Sequence, residues 1–474
     1  MREHRSLLLL LPLTFTLTAC SYLGQIAWQA ADQAGRYSAK QVAVPEIVTP
    51  PGYRAVRVVN GLNFPSAFTW DADGNLYILE SHTVPAPMLK PKIVRVARDG
   101  RIDRVALSGP GAPDGDTAIG LTFHDGWLYF SHEQKDATFS ISRVRPAGGA
   151  VETVLANVPV TGDHDINHLV FDAQGNLYFG VGSATNSGIV ATGDPVNEKW
   201  LKKHPEAHDR PCFDIQLTGK TFTDSAGKTT GAFQPIGQSA AKLVRAESPC
   251  TSSIYRLKPN TTQPELIAWG FRNPVALGFT ANGGLLVGMQ GADVRSTRPI
   301  AEDPDSVLRV REGAWYGWPD FGAALTPIGA DPLIDLTASG LAAPDRTLVV
   351  AATKPHAAIS GMTVLPDGAV LVAEMGDFKP MTDPHANVHA GFQVERVDPV
   401  SGAIAPLYRN RNDGDAQPAS TLDLRNAFER PVDVRIGPDG NIYVLDFGAF
   451  ITLGGAPKAF PKTGKLFRIE KVGG

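Results

Sequence analysis

The chain has 474 residues, with 48 Gly and 37 Pro set against only 19% charged residues. That balance suits many short strands joined by tight turns and excludes a bundle of long surface helices. The formal net charge of -4 comes with mixed signs and no long basic run, which excludes a nucleic-acid footprint and favours a small neutral or weakly charged ligand.

In chain order, Arg2 and Arg5 flank the start of an apolar run over 6–17. The run is too short for a membrane span and has the length of the hydrophobic part of a secretion signal. It ends in Leu17-Thr18-Ala19-Cys20, which resembles the lipobox of bacterial lipoproteins. The resemblance implies removal of 1–19, lipidation of Cys20 and an exported chain held to the envelope membrane by its lipid; the alternative is a secretion signal with an incidental Cys. Residues 20–49 are expected to be a tether and 50–474 the globular body. In the oxidising compartment that export implies, the two remaining cysteines, Cys212 and Cys250, are expected to pair. Closing a loop of that length contributes about 4 kcal/mol on the chain-entropy model, which suits an insertion over 195–249 without a core of its own.

The fold is set by a repeat. An apolar strand meets a D-x-x-G-N-L-Y-like turn and a second apolar strand six times, with turn glycines at Gly74, Gly126, Gly175, Gly283, Gly368 and Gly440. Asp or Asn beside Gly supplies the positive-φ turn of a hairpin, and β-branched and aromatic flanks supply the strands. Downstream of each copy lies an apolar-x-Arg-apolar strand, centred on Arg95, Arg143, Arg256, Arg309, Arg396 and Arg468. Two hairpins per repeat predict four-stranded antiparallel blades, and six repeats predict an all-β, six-bladed β-propeller. The early strand over 53–59 is expected to join the blade that ends in 465–472 and so close the ring; an open array of β-sandwiches is the alternative. Interruptions over 195–249, 375–390 and 409–428 are expected to be rim loops, where binding and chemistry usually sit.

Before the third repeat lies Gly162-Asp163-His164-Asp165-Ile166-Asn167-His168. A His beside carboxylates at the start of a strand can serve as a general base, or it can be a satisfied loop residue. His164 and His168 do not read as a zinc pair, since no third ligand is evident. Further on, Arg272-Asn273-Pro274 pairs a guanidinium with an amide, suited either to holding a developing oxyanion or to bridging blades. Gln290-Gly291-Ala292-Asp293 and the later Asp303 and Asp305 offer carbonyls and carboxylates of the kind that hold calcium, without EF-hand spacing.

These stretches together, Asp163-His164, then Gly270-Phe271-Arg272-Asn273-Pro274, then Gln290-Gly291-Ala292, then Tyr316-Gly317-Trp318-Pro319, resemble the glucose/sorbosone dehydrogenase family. The resemblance implies a six-bladed propeller that uses pyrroloquinoline quinone and calcium. By position it implies His164 as general base, Asp163 as the carboxylate that positions it against the sugar, Arg272 and Asn273 on the cofactor, and Arg430 on a cofactor carboxylate. It also places the cofactor's calcium on the Gly291 and Ala292 carbonyls and a second calcium cluster at Asp305 and Tyr316. The chain departs from the family pattern in several places. Gly115 stands for a cofactor-binding Gln, Val432 for a second Arg and Ser306 for a calcium-ligating acid, and the family's cofactor lysine has no clean counterpart, Lys379 lying nearby within an insertion.

The expected function is therefore quinoprotein oxidation of a sugar or related aldose hydroxyl, with Arg272 stabilising negative charge on the acceptor. No C-x-x-C-H haem motif is present, so electrons are expected to pass to a separate acceptor. Two other readings remain open on the sequence: a non-enzymatic envelope propeller that binds glycans or protein partners, and a calcium-dependent lactonase.

Overall fold

The structure, a computed structural model, describes residues 39, 41–81, 90–160, 162–194, 196–379, 381–384, 389–453 and 456–472. The expected secretion signal and Cys20 lie outside the described residues, as does most of the tether. Six antiparallel sheets of four or five strands are arranged in chain order around a closed ring, forming a six-bladed propeller. Their first strands are Pro65–Trp70, Ala118–His124, Ile166–Phe171, Asn273–Phe279, Ile359–Val364 and Pro431–Ile436, for blades 1 to 6. Each first strand packs on the next, and that of blade 6 packs on that of blade 1.

The repeat explains the blades residue by residue. All six turn glycines have φ between +75° and +86°, the left-handed region that glycine enters without steric cost. In the first copy the Asp71 carboxylate accepts from the backbone N–H groups of Asp73 and Asn75 and from the Tyr77 hydroxyl, at 2.8 to 3.0 Å. The motif's Asp therefore caps the turn while its Tyr folds back over it. The second motif meets the first across the sheet, where Tyr77 is in register with Arg95, Tyr129 with Arg143, Tyr178 with Arg256 and Tyr443 with Arg468. Four of the six central strand pairs thus carry an aromatic and a guanidinium opposite one another, the cross-strand contact that stabilises a sheet, while in blades 4 and 5 Leu286 and Leu371 face Arg309 and Arg396.

The ring closes as expected. Strand Tyr53–Leu62 is the outer neighbour of Gly464–Lys471 in blade 6, with Tyr53 opposite Lys471. The expected tether needs correction at its end, because Val42–Ala43 pairs with Tyr53–Leu62 and Ile47–Val48 pairs with Ile404–Asn410 of blade 5. Val44 and Ile47 are buried in the core between those blades. Apolar side chains so close to the ring gain more from burial than from solvation, so the propeller begins near Val42.

The insertion in blade 3 runs between Leu177–Val181 and Ser253–Leu257, carries the short helix Asn197–Lys203, and contains the Cys212–Cys250 disulfide. It does have a core: Ile189, Ile215 and Phe233 pack with Trp315, Trp318 and Leu333. Those partners belong to a long excursion between Pro304–Arg309 and Val349–Pro355 of blade 4 that the sequence pattern does not announce. Two excursions without sufficient apolar surface alone bury it against each other, roofing one end of the ring.

Candidate active site

A cavity of about 1130 Å³ opens within the ring and is lined by residues from all six blades, among them Ser66, Ile119, Asn167, Asn273, Ser360 and Val432. His164, Arg272, Gly291 and Asp305 share its wall, so four separate positions singled out in the sequence do converge there. Arg430 and Tyr316 are not among the lining residues.

His164 precedes the first strand of blade 3. Its Nδ1 lies 2.9 Å from the carbonyl oxygen of Ser183 and 3.1 Å from the Ser183 hydroxyl oxygen. That hydroxyl donates in turn to the carbonyl of Thr185 at 2.6 Å. A carbonyl can only accept, so Nδ1 carries the hydrogen and Nε2 keeps its lone pair. No protein group among the described residues bonds Nε2. Burial, together with the Arg272 charge, holds the imidazole well below the ordinary histidine value. Gly182 permits this placement, since a Cβ there would stand 2.3 Å from the His164 Cβ and 3.0 Å from the Asn273 Oδ1.

Asp163 does not orient His164. Its Oδ2 accepts from Arg295 at 2.7 Å and its Oδ1 from the Trp200 indole at 3.3 Å. Neighbours in an extended chain point to opposite sides, so adjacency in sequence separates the two side chains, and Ser183 takes over the orienting bond. Arg295 is the centre of a buried cluster that sequence reasoning missed. It reaches Asp194 through two bonds of 3.0 and 2.8 Å and Asp293 at 3.2 Å as well as Asp163. Burial pushes the Asp293 carboxyl up, but its bond with His356 and the charges of Arg272 and Arg295 outweigh it and hold the group well below the usual carboxylate range. No local motif marks Arg295, because its three carboxylates come from three separate loops.

Arg272, 3% exposed, donates to the Asn186 carbonyl (2.9 Å), the Asn186 side-chain oxygen (2.9 Å), the Gly291 carbonyl (2.6 Å) and Asp293 (3.2 Å). A guanidinium has five N–H groups, so one remains for the cavity. Asn273 belongs to a chain of amides in which Asn167 donates to Asn273 at 2.7 Å, Asn273 to Gln290 at 2.7 Å and Gln290 to the Ile359 carbonyl at 2.8 Å. The pair therefore both bridges blades and faces the cavity, joining the two readings the sequence left open. His168 also lines the cavity, 3.9 Å from Asp433.

Three of the four calcium ligands implied by the family resemblance, Gly291, Asp305 and Tyr316, do not fit a cation here. Arg272 places positive charge 2.6 Å from the Gly291 carbonyl. The amide of Gly291 donates to Asp305 Oδ1 at 2.9 Å and that of Ile359 to Oδ2 at 2.6 Å, while the amide of Ala292 donates to Asp303. Burial pushes the Asp305 carboxyl up to about 7. Tyr316 is fully buried, stacked on Phe271, and its hydroxyl donates to the Arg309 carbonyl at 2.5 Å and accepts from the Arg311 amide at 2.9 Å. It pins a turn and cannot reach Asp305's surroundings in the cavity wall. Among the described residues, no group of three or more His, Cys, Asp or Glu side chains could hold a metal.

Arg430 is likewise internal. One guanidinium nitrogen donates to the carbonyls of Met375, Gly376 and Asp377 at 2.9 to 3.2 Å, and the group lies 3.5 Å from the centre of the Phe450 ring. Burial brings its pKa down to about 9. Its work is to hold the 375–377 turn against blade 6. In its stead the cavity wall offers Lys90, which donates to the carbonyls of Asp114 and Gly115 and to the Asp116 carboxylate. Gly115, where the family pattern calls for Gln, thus contributes a carbonyl to a lysine. An exposed lysine beside a turn gives no sequence signal of such a role.

Comparison with known proteins agrees with the motif resemblance. Quinoprotein glucose dehydrogenase B of Acinetobacter calcoaceticus is 22% identical over 282 residues, 56% of this chain and 52% of that protein, so the chain spans about half the length of this relative. An uncharacterized protein of Synechocystis is 22% identical over 467 residues, 92% of this chain and 95% of that protein. No family model matches. Among solved structures, a Trichoderma reesei carbohydrate-active enzyme of family AA12 superposes with a TM-score of 0.53 at 15% identity, covering 91% of this chain and 99% of that one. The quinone domain of a Coprinopsis cinerea pyranose dehydrogenase gives 0.51 at 15% identity, covering 90% and 97%. These likenesses establish the shared propeller fold.

Proposed function

We propose that the chain is an oxidoreductase that removes hydrogen from a hydroxyl-bearing carbon of a sugar or related polyol inside the ring cavity. The observation that carries this reading is His164, an imidazole fixed through Nδ1, kept neutral, and presenting an unbonded Nε2 to a cavity of about 1130 Å³. A neutral imidazole so placed accepts a hydroxyl proton at Nε2, and the Ser183 carbonyl stabilises the imidazolium that forms. Arg272 lines the same space, and the N–H its four bonds leave over is the donor for negative charge that develops on the acceptor. The amide chain through Asn273 and Gln290 gives the floor polar groups that suit hydroxyls.

The cavity's size, its apolar walls at Val275, Met375, Val432 and Phe447, and the Arg272 guanidinium suit a flat, anionic redox group. Pyrroloquinoline quinone, when bound there, would supply the two-electron acceptor, and a separate carrier would re-oxidise it. The sequence relative that is a quinoprotein glucose dehydrogenase supports this choice. Calcium is not part of the proposal, because three of its four expected ligands, the Gly291 carbonyl, Asp305 and Tyr316, are committed to internal bonds. The test is reconstitution of the mature protein with the quinone alone and a panel of aldoses. The expected result is a bound-quinone absorption spectrum and aldose-dependent dye reduction; absence of both across the panel would reject the proposal. Lipid anchoring through Cys20 is proposed on the sequence alone, and mass spectrometry of the N-terminus tests it.

A further inference from the structure

One acid on the cavity wall is used by none of the chemistry above. Asp165 stands between His164 and the first strand of blade 3, Ile166–Phe171, and its carbonyl accepts from the Gly182 amide at 3.2 Å. The backbone is thus fixed. The carboxyl is not, since no described residue donates to either oxygen and no cation among them pairs with it. Each of the other acids that line the cavity has a donor. Asp163 has Arg295, Asp293 has Arg272 and Asp116 has Lys90, while the amides of Lys135, Asp116 and Gly291 serve Asp114, Glu133 and Asp305. Asp165 lies deep in the ring, yet neither carboxyl oxygen is sealed from open space, and the space it borders is the cavity.

The surroundings of this carboxyl make the kind of missing partner specific. Burial pushes Asp165 well above the usual carboxylate range, and the negative charges of Glu133 and Asp163 push it the same way. A hydroxyl would bring such a group a donor but no charge. An ammonium brings three donors and the positive charge that the wall does not supply at this point. Asp165 and His164 line the same cavity from adjacent positions of the chain, whose Cα atoms stand about 3.8 Å apart, a spacing that one sugar ring can bridge. We propose that Asp165 is a specificity-determining residue that takes the ammonium group of an amino sugar whose reacting hydroxyl lies at His164. This rests on the reading of the cavity as a sugar or polyol site and narrows the substrate class to aminated members.

The experiment is calorimetric binding at neutral pH of D-glucosamine, D-galactosamine and 6-amino-6-deoxy-D-glucose, each beside its N-acetylated form and D-glucose, to the wild-type protein and to Asp165→Asn. Circular dichroism establishes that the variant is folded, and Asp165→Ser takes its place should it fail to fold. The expected result is that at least one amino sugar binds the wild type about 10- to 100-fold more tightly than its N-acetylated form, as a hydrogen bond between charged groups produces. In the variant that ratio should fall to about threefold or less, a change in preference that a merely structural role would not bring about. No preference in the wild type, the same preference in the variant, or no binding of any of these sugars overturns the inference. Dye reduction run in parallel on quinone-loaded wild type separates this inference from the reading beneath it. Turnover of aldoses without an amine preference leaves the oxidoreductase reading standing and overturns the role of Asp165. An amine preference lost in Asp165→Asn, with no dye reduction, upholds that role and rejects the oxidoreductase reading.

Discussion

The Nδ1 of His164 stands 2.9 Å from the carbonyl oxygen of Ser183, nineteen positions further along the chain. This bond fixes which ring nitrogen carries the proton, and with it the direction in which the cavity can receive one. Burial and the Arg272 charge depress the imidazole pKa, so the base form is present above that lowered value and is lost only as pH falls through it. The acid limb of kcat/KM should therefore lie well below about 6.5, the ordinary histidine value. A limb at or above that value in a pH profile would contradict the assignment.

Gly182→Ala tests the packing that seats the ring. The added Cβ would stand 2.3 Å from the His164 Cβ, so the imidazole must move. A displacement of about 1 Å can cost roughly 100-fold in rate. Steady-state kinetics should show kcat falling by that order while circular dichroism remains that of the wild type; unchanged kcat would mean the ring position does not matter.

Arg295→Met removes the only cation that reaches Asp163, Asp194 and Asp293 together among the described residues. Breaking a buried ion pair by deleting one partner destabilises by about 3–5 kcal/mol. Chemical denaturation at neutral pH should show a loss of that size. A loss under about 1 kcal/mol would mean that solvent reaches the carboxylates and screens them.

Chelation provides a separate test. With the amides of Gly291 and Ile359 on Asp305 and the Tyr316 hydroxyl on Arg309, dialysis against EDTA should leave the melting temperature unmoved. Added calcium should not raise it, since a cation that binds only the folded state would stabilise by mass action. A clear rise with millimolar calcium would restore the expected cation sites.

The propeller was legible because its signals are local and repeated. Asp71 and Tyr77 share one turn, and the Tyr77–Arg95 register joins the two motifs that define a blade. Convergence of His164, Arg272 and Gly291 on one cavity followed from their motifs taken together. What each side chain bonds was not legible, because it depends on loops meeting in space. Asp163 turns to Arg295 rather than to the adjacent His164, Arg430 is enclosed by Phe378, Phe392 and Phe450, and Tyr316 pins a turn. The joint core of the two excursions is invisible for the same reason, since Phe233 and Trp318 pack together although eighty-five positions apart in the sequence.

The most direct measurement is aldose-dependent dye reduction by quinone-loaded His164→Gln beside the wild type, with quinone occupancy read from the absorption spectrum of each sample. Loss of a positioned general base should lower kcat by about 100- to 10,000-fold at unchanged occupancy. Retention of wild-type turnover by the variant would show that another group takes the hydroxyl proton and would contradict the account.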